Sequence, residues 1–402
     1  MQKVKEKQNI PEGWSQDKLG SCLDIQKGKL PRAFSEHEDG YVPYLSIKFF
    51  DGVEKRYSKK EDGLFATKDD LLVIGDGSGS GRIYRGYAGL VSSTFLKISS
   101  KNPKKISNNY LESVFKHLDF SRPKFRKGGA IPHFDFKQLK EVDVLLPPLI
   151  EQQKIAEVLG VVDDEIEKIK EVIKATEKLK KGLMQKLFTR GIGHTKFKET
   201  KIGEIPESWD TPLLDTVAKR GSGHTPSKKI EEYYNGGIKW ISLADSNRLD
   251  KGEISETKIE ISQKGIENSS ATLHPQGTVL MSRDAGIGKS AVMAEDMAVS
   301  QHFITWMCGD NLNNWYLYYL LQSKKSEFER IAMGSTIKTI GVGYFQKLKI
   351  PLPSFSEQEK IAGILSAIDE KISVNKKLLA KQTELKKGLM QDLLSGVKRV
   401  KV

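Results

Sequence analysis

The sequence is short of cysteine. Only Cys22 and Cys308 occur in 402 residues, and neither falls in a Cys-x-x-Cys or Cys/His ligand spacing. That argues against a disulfide framework and a structural zinc site, and it fits a reducing compartment. Long apolar runs are missing too: no stretch approaches the roughly 18 continuous apolar residues of a membrane span. The N-terminal MQKVKEKQNIPEGW lacks the apolar core of a secretory signal. The expectation is a cytoplasmic chain with no membrane partner. Acidic residues are in deficit. The 52 Asp and Glu against 65 Lys and Arg leave a net charge of +13, with a pI near 9.3. Such an excess favours a polyanionic partner, nucleic acid first.

Catalytic patterns are also wanting. No Pro-Asp dipeptide precedes an acidic-x-Lys pair, as a metal-dependent nuclease might show, and no Asn-Pro-Pro or Asp-Pro-Pro motif for base methylation occurs. GSGSG at 77–81 resembles an S-adenosylmethionine glycine loop by composition alone. RDAGIGKSA at 283–291 has the Gly-Lys-Ser of a phosphate-gripping loop, but Arg283 stands where that loop needs its first glycine. His302 and Cys308, beside an apolar strand, read as core. The residues thus point to no catalytic site and no metal site in this chain. A standalone nuclease or methyltransferase with an unrecognised site is the alternative.

What the sequence does contain is itself, twice. IEQQKIAEVLG at 150–160 matches SEQEKIAGILS at 356–366, and LKKGLMQKL at 179–187 matches LKKGLMQDL at 385–393, both displaced by 206 residues. Seventeen of the 40 pairs between 151–190 and 357–396 are identical, which amphipathic patterning alone does not produce. The flanks repeat more loosely: IPEGW at 10–14 with IPESW at 205–209, GLVSSTF at 89–95 with MAVSQHF at 297–303, and VIGDGSGSGRI at 73–83 with VLMSRDAGIGKSAV at 279–292. In the last pair Gly79, Gly81 and Arg82 fall opposite Gly286, Gly288 and Lys289. Both copies read as a strand, a Gly-rich turn and a basic residue. Such a turn exposes N–H donors to a nucleic-acid phosphate, or simply closes a hairpin.

Apolar residues in the repeated segments alternate at spacings of four and three. The seam runs Ile155, Leu159, Val162, Ile166, Ile169, Ile173 in the first copy and Ile361, Leu365, Ile368, Ile372, Leu379 in the second. This is a heptad pattern with polar interruptions. Each helix of roughly 38 residues spans about 57 Å. Residues 191–355 leave one helix and return to the other, and domain termini usually lie close together, so the helices are expected to pair antiparallel. The predicted architecture is α+β with a pseudo-two-fold repeat: an α/β head over 1–150, a central long helix over 151–190, a second α/β head over 191–355, and a C-terminal long helix over 356–402 that completes a coiled coil. Strands are expected at Val42–Ile47, Leu71–Ile74, Leu90–Ile98 and Val142–Leu146, and at Trp240–Leu243, Thr278–Met281, Phe303–Met307 and Lys349–Leu352. Matching head helices are expected at 108–118 and 313–323.

Candidate DNA readers are polar or basic residues of the predicted loops, where Arg and Lys serve guanine edges or phosphates. In the first head these are Lys48, Arg82, Tyr84, Arg85, Arg122, Lys124, Arg126 and Lys127; in the second, His224, Lys228, Lys229, Arg248, Arg283, Lys289 and Lys338.

The paired junctions LPPLIEQQKIAEVL and LPSFSEQEKIAGIL, the paired LKKGLMQ helix ends and the GEIPESW that opens the second half resemble the DNA-specificity subunits of type I restriction–modification systems, over essentially the whole chain. The resemblance implies two target recognition domains, each reading half of a bipartite, asymmetric double-stranded DNA site. It implies antiparallel helices that set the spacer and dock two methyltransferase subunits, with restriction subunits joining the full complex. S-adenosylmethionine, ATP and magnesium are then expected on the partner subunits and no cofactor on this chain.

Overall fold

The computed structural model describes residues 10–77, 79–120, 125–127, 133–334 and 338–401. Met1–Lys170 with Lys377–Val402 form one compact unit, and Glu171–Lys376 form a second.

In the first unit two four-stranded sheets make the head. One has the order Leu23–Lys27, Phe95–Ser100, Leu71–Ile74, Ile83–Tyr84 and is antiparallel throughout. The other has the order Tyr57–Lys59, Tyr41–Leu45, Gly89–Val91, Phe65–Ala66, with its two middle strands parallel. Leu71–Ile74 is buried at every position, as an unbroken apolar run should be when both faces are covered. The helix Asn108–Leu118 is capped by the Ser107 side chain and packs Tyr110, Leu111, Val114 and Phe115 into the core.

The second unit repeats this plan. Its antiparallel core sheet has the order Ala218–Ser222, Phe303–Cys308, Val279–Ser282, Ser290–Met293, extended by Glu253–Ile254. Its other sheet has Glu260–Ile261, Tyr234–Ile241, Met297–Val299 and Leu273–His274, again with a parallel central pair. Register is conserved between copies: Leu71 pairs Ile98 and Ile74 pairs Phe95 in one, Val279 pairs Trp306 and Ser282 pairs Phe303 in the other. The head helix is Asn314–Ser323.

The expected strand Val42–Ile47 ends at Leu45, because Ile47 opens the helix Ile47–Phe50. Trp240–Leu243 ends at Ile241, where a helical turn begins at Leu243. Two further expected strands differ in kind. Leu90–Ile98 is not one strand but two, Gly89–Val91 and Phe95–Ser100, which enter different sheets. The Phe95 N–H donates to the Ser92 carbonyl and closes a turn between them. Lys349–Leu352 makes only isolated bridges, Leu213 to Lys349 and Asp210 to Leu352.

The long helices are Leu149–Arg190 and Phe355–Ser395. The seam residues Ile155, Leu159, Val162, Ile166, Ile173, Ile361, Leu365 and Ile372 are buried, and Ile169, Ile368 and Leu379 are half-buried. Pairing is antiparallel inside each unit. Asp163 meets Lys386 in the first, while Lys180 meets Asp369 (2.6 Å) and Glu177 meets Lys376 (2.7 Å) in the second. Gly191 and Gly396 end the helices at positive φ, where a side chain would be strained.

The repeated Glu-Gln at each helix start is a joint. Gln152 accepts from the Ser107 N–H and donates to the Lys105 and Pro147 carbonyls, at 2.9, 2.8 and 2.9 Å. Gln358 does the same with Asn313, Asn311 and Pro353, at 2.8, 2.9 and 3.0 Å. The Trp14 indole donates to Glu151 and the Trp209 indole to Glu357, both at 3.0 Å. Arg399 closes the first cluster and His194 the second. Each head is thereby fastened to its helix through groups that would otherwise be buried without partners.

Candidate nucleic-acid interface

One end of each core sheet carries a polar rim built on a common backbone scaffold. In the first head the Ile74 N–H donates to the Arg82 carbonyl and the Gly81 N–H to the Ile74 carbonyl, closing the Gly-rich hairpin. Gly75 donates to Thr94, and Phe134 donates to Gly75. The second head repeats all four bonds, with Ser282 to Lys289, Gly288 to Ser282, Arg283 to His302, and Ile340 to Arg283. The alignment of 73–83 with 279–292 is therefore matched bond for bond. Beside each hairpin lies a glycine segment, Gly28–Lys29–Leu30 and Gly223–His224–Thr225. A Cβ on Gly28 would lie 2.1 Å from the Ser92 carbonyl oxygen, and one on Gly223 1.7 Å from that of Val299. Only glycine permits this approach.

Side chains on the scaffold differ between heads. Asp76 takes His133 Nδ1 at 2.8 Å and Lys27 Nζ at 3.2 Å. The His133 hydrogen bond, then that of Lys27, outweighs partial burial and holds the Asp76 carboxyl below the usual carboxylate range. Asp284 takes His302 Nδ1 at 2.6 Å and the Thr339 hydroxyl. Thr225 donates to Gln301 at 2.6 Å.

The sequence candidates divide into three groups. Arg82, His224, Lys228, Lys229 and Lys338 are exposed with no side-chain partner among the described residues, and Lys48 is exposed beside Glu54. Arg122 and Lys124 lie outside the described residues. The others are held within the heads. Arg85 is 17% exposed and is spanned by Glu112, Asp69 and Asn109. Tyr84 stacks on Phe50 with ring centroids 3.9 Å apart. Arg126 donates to the Ser80 carbonyl, Lys127 pairs with Asp135, and Arg248 with buried Asp245. Arg283 is half-buried, and Lys289 spends its ammonium on the Ser246 carbonyl at 3.0 Å.

Sequence reading missed Lys27, Lys29, Asp76, His133, Asp284, Gln301 and Thr339. One signal was present: Thr339 follows His133 by the same 206 residues that relate the helices. His302, read as core, instead sits half-buried on the rim, because the turn at Ser300 releases the chain before the strand begins. Cys308, also read as core, is half-buried against the edge of the apolar core, and burial pushes its thiol up to about 12, unsuited to a nucleophile. Among the described residues no three His, Cys, Asp or Glu are grouped to hold a metal ion, and no helix is long and apolar enough to cross a membrane.

Two heads with one hairpin scaffold, basic rims and a shared pair of long helices are the build of a nucleic-acid recognition protein. The chain belongs to the type I restriction modification DNA specificity domain family, whose model matches residues 11–177 and again 206–383. It is a DNA-recognition chain rather than a catalytic one. It is 31% identical to the type I restriction enzyme MjaVIII specificity subunit of Methanocaldococcus jannaschii, over 98% of this chain and 94% of the relative. It is 27% identical to a putative type I restriction enzyme MjaX specificity subunit of the same organism, over 98% and 95%. The fold is that of the type I restriction–modification S subunit from M. genitalium, with a TM-score of 0.61 and 16% identity over 97% of this chain and 98% of that one. A chain from a structure of type I restriction–modification complex assembly matches with a TM-score of 0.55 and 18% identity over 96% and 98%.

Proposed function

We propose that this chain gives a type I restriction–modification complex its address, each head reading one half of a bipartite double-stranded DNA site in the cytoplasm. The observation that carries this is one backbone scaffold bearing two chemistries: Lys29, Leu30 and His133 on one rim, His224, Thr225 and Thr339 on the other. Equal scaffolds present their readers alike, and different side chains select different bases, so the site is asymmetric. Two methyltransferase subunits dock on the chain and carry S-adenosylmethionine to adenine. Restriction subunits bring ATP and magnesium. The long helices set the length of the untouched spacer.

The test is to produce the chain with its partner subunits in a host free of other modification and map modified bases across the genome. A two-part site with a fixed gap is expected; scattered or contiguous modification would refute the reading. The Gly-Lys-Ser hairpin is expected not to serve ATP, since the Lys289 ammonium is already committed. Titration of the isolated chain should show no micromolar ATP binding that depends on Lys289.

A further inference from the structure

Each head turns an imidazole onto the same carboxylate. Asp76 and Asp284 stand two residues beyond the central strand, at equivalent places in the conserved register. The imidazoles, however, come from different segments. His133 belongs to the strand His133–Phe134, whereas His302 belongs to the turn ahead of Phe303–Cys308. The place of His133 in the second head is taken by Thr339, which donates to Asp284. The place of His302 in the first head is taken by Thr94, which pairs with Ser92. Neither histidine is therefore a by-product of duplicated sequence. What the heads share is an imidazole fastened through Nδ1 at the root of the Gly-rich hairpin.

Packing does not account for the pair. The His133 side chain is 55% exposed and that of His302 is 32% exposed, and Nε2 of each has no partner among the described residues. On a neutral imidazole a carboxylate at Nδ1 fixes the proton there and leaves Nε2 as an acceptor. Exposed acceptors of fixed direction select donors. In the major groove those are the N6 amino group of adenine and the N4 amino group of cytosine, while guanine and thymine present acceptors.

We propose that His133 and His302 are base-reading residues, each accepting a hydrogen bond through Nε2 from an adenine or cytosine amino group in its own half-site. Asp76 and Asp284 are positioning residues that set the ring tautomer. The inference rests on the DNA-reading function proposed above.

The experiment uses the complete complex. Modified sites are mapped for the wild type and for His302→Ala, Asp284→Asn, His133→Ala and Asp76→Asn. Each pair of substitutions should relax one adenine or cytosine position in one half-site and leave the other half intact. In duplex binding, discrimination at that position should fall about tenfold, while the salt dependence that counts phosphate contacts stays unchanged. A merely structural role would weaken all duplexes alike. As a check on the ligand side, replacing the implicated adenine by purine, which lacks the amino group, should cost the wild-type complex the same factor and cost His302→Ala or His133→Ala nothing further. Unchanged strictness in all four variants would overturn the proposal, as would relaxation at a guanine or thymine. A wild-type complex with no bipartite site would overturn the function itself, which is a separate outcome.

Discussion

Gln152 and Gln358 each hold three backbone groups that have no other partner among the described residues, so each side chain is one tie between a head and its helix. Gln358→Ala strips partners from the Asn313 N–H and from two carbonyls. The expected cost is about 2–4 kcal/mol, since leaving a buried polar group unpaired costs about 1–3 kcal/mol; denaturant unfolding checks it. Glycines give a contrast. Gly223→Ala would drive a methyl into the Val299 carbonyl, so a loss of about 2–3 kcal/mol is expected. Gly363 lies in the second long helix with nothing near its Cβ direction, and Gly363→Ala should stabilise by about 0.5–1 kcal/mol. Little of this scale was legible beforehand. The repeated Glu-Gln stood out as a motif, yet its work is long-range, reaching from residue 152 to 107 and from 358 to 313. The Arg85 and Lys289 charges were legible, but not the Glu112 carboxylate or the Ser246 carbonyl that engages them.

Elements were easier to read where periodicity was long. Both long helices followed from spacing alone, because their heptad seams recur over about five turns and little else satisfies that pattern. The break at Ser92 was not visible, since GLVSSTFLKI contains no proline or internal glycine and its turn is closed by the backbone. The seam also carries a testable charge. Burial pushes the Asp163 carboxyl up, but Lys116 and Lys386 outweigh it and leave it below its ordinary value. A depressed carboxylate stabilises the fold fully above its unfolded value, near 3.9, and the contribution is lost as pH falls through the folded value. Asp163→Asn should therefore lower the melting temperature by about 2–4 °C at neutral pH, and the difference should shrink as the pH is taken toward 3. The spacer belongs to this scale too. Removing one heptad from each long helix shortens the pair by about 10 Å, roughly three base pairs at 3.4 Å each. Modified-base mapping should then show a shorter gap between unchanged half-sites.

At the scale of the whole molecule the account is one of duplication with divergence. The net charge of +13 supplies attraction to any duplex, so affinity should fall steeply with salt, whereas selectivity lies in the side chains set on two copies of one scaffold. The central claim is that each head reads its half independently. The most direct measurement is modified-base mapping of the complete complex after residues 1–150 are replaced by the corresponding head of another family member. The account predicts that one half-site changes while the other half and the gap are retained. A change in both halves, or in the gap, would contradict it.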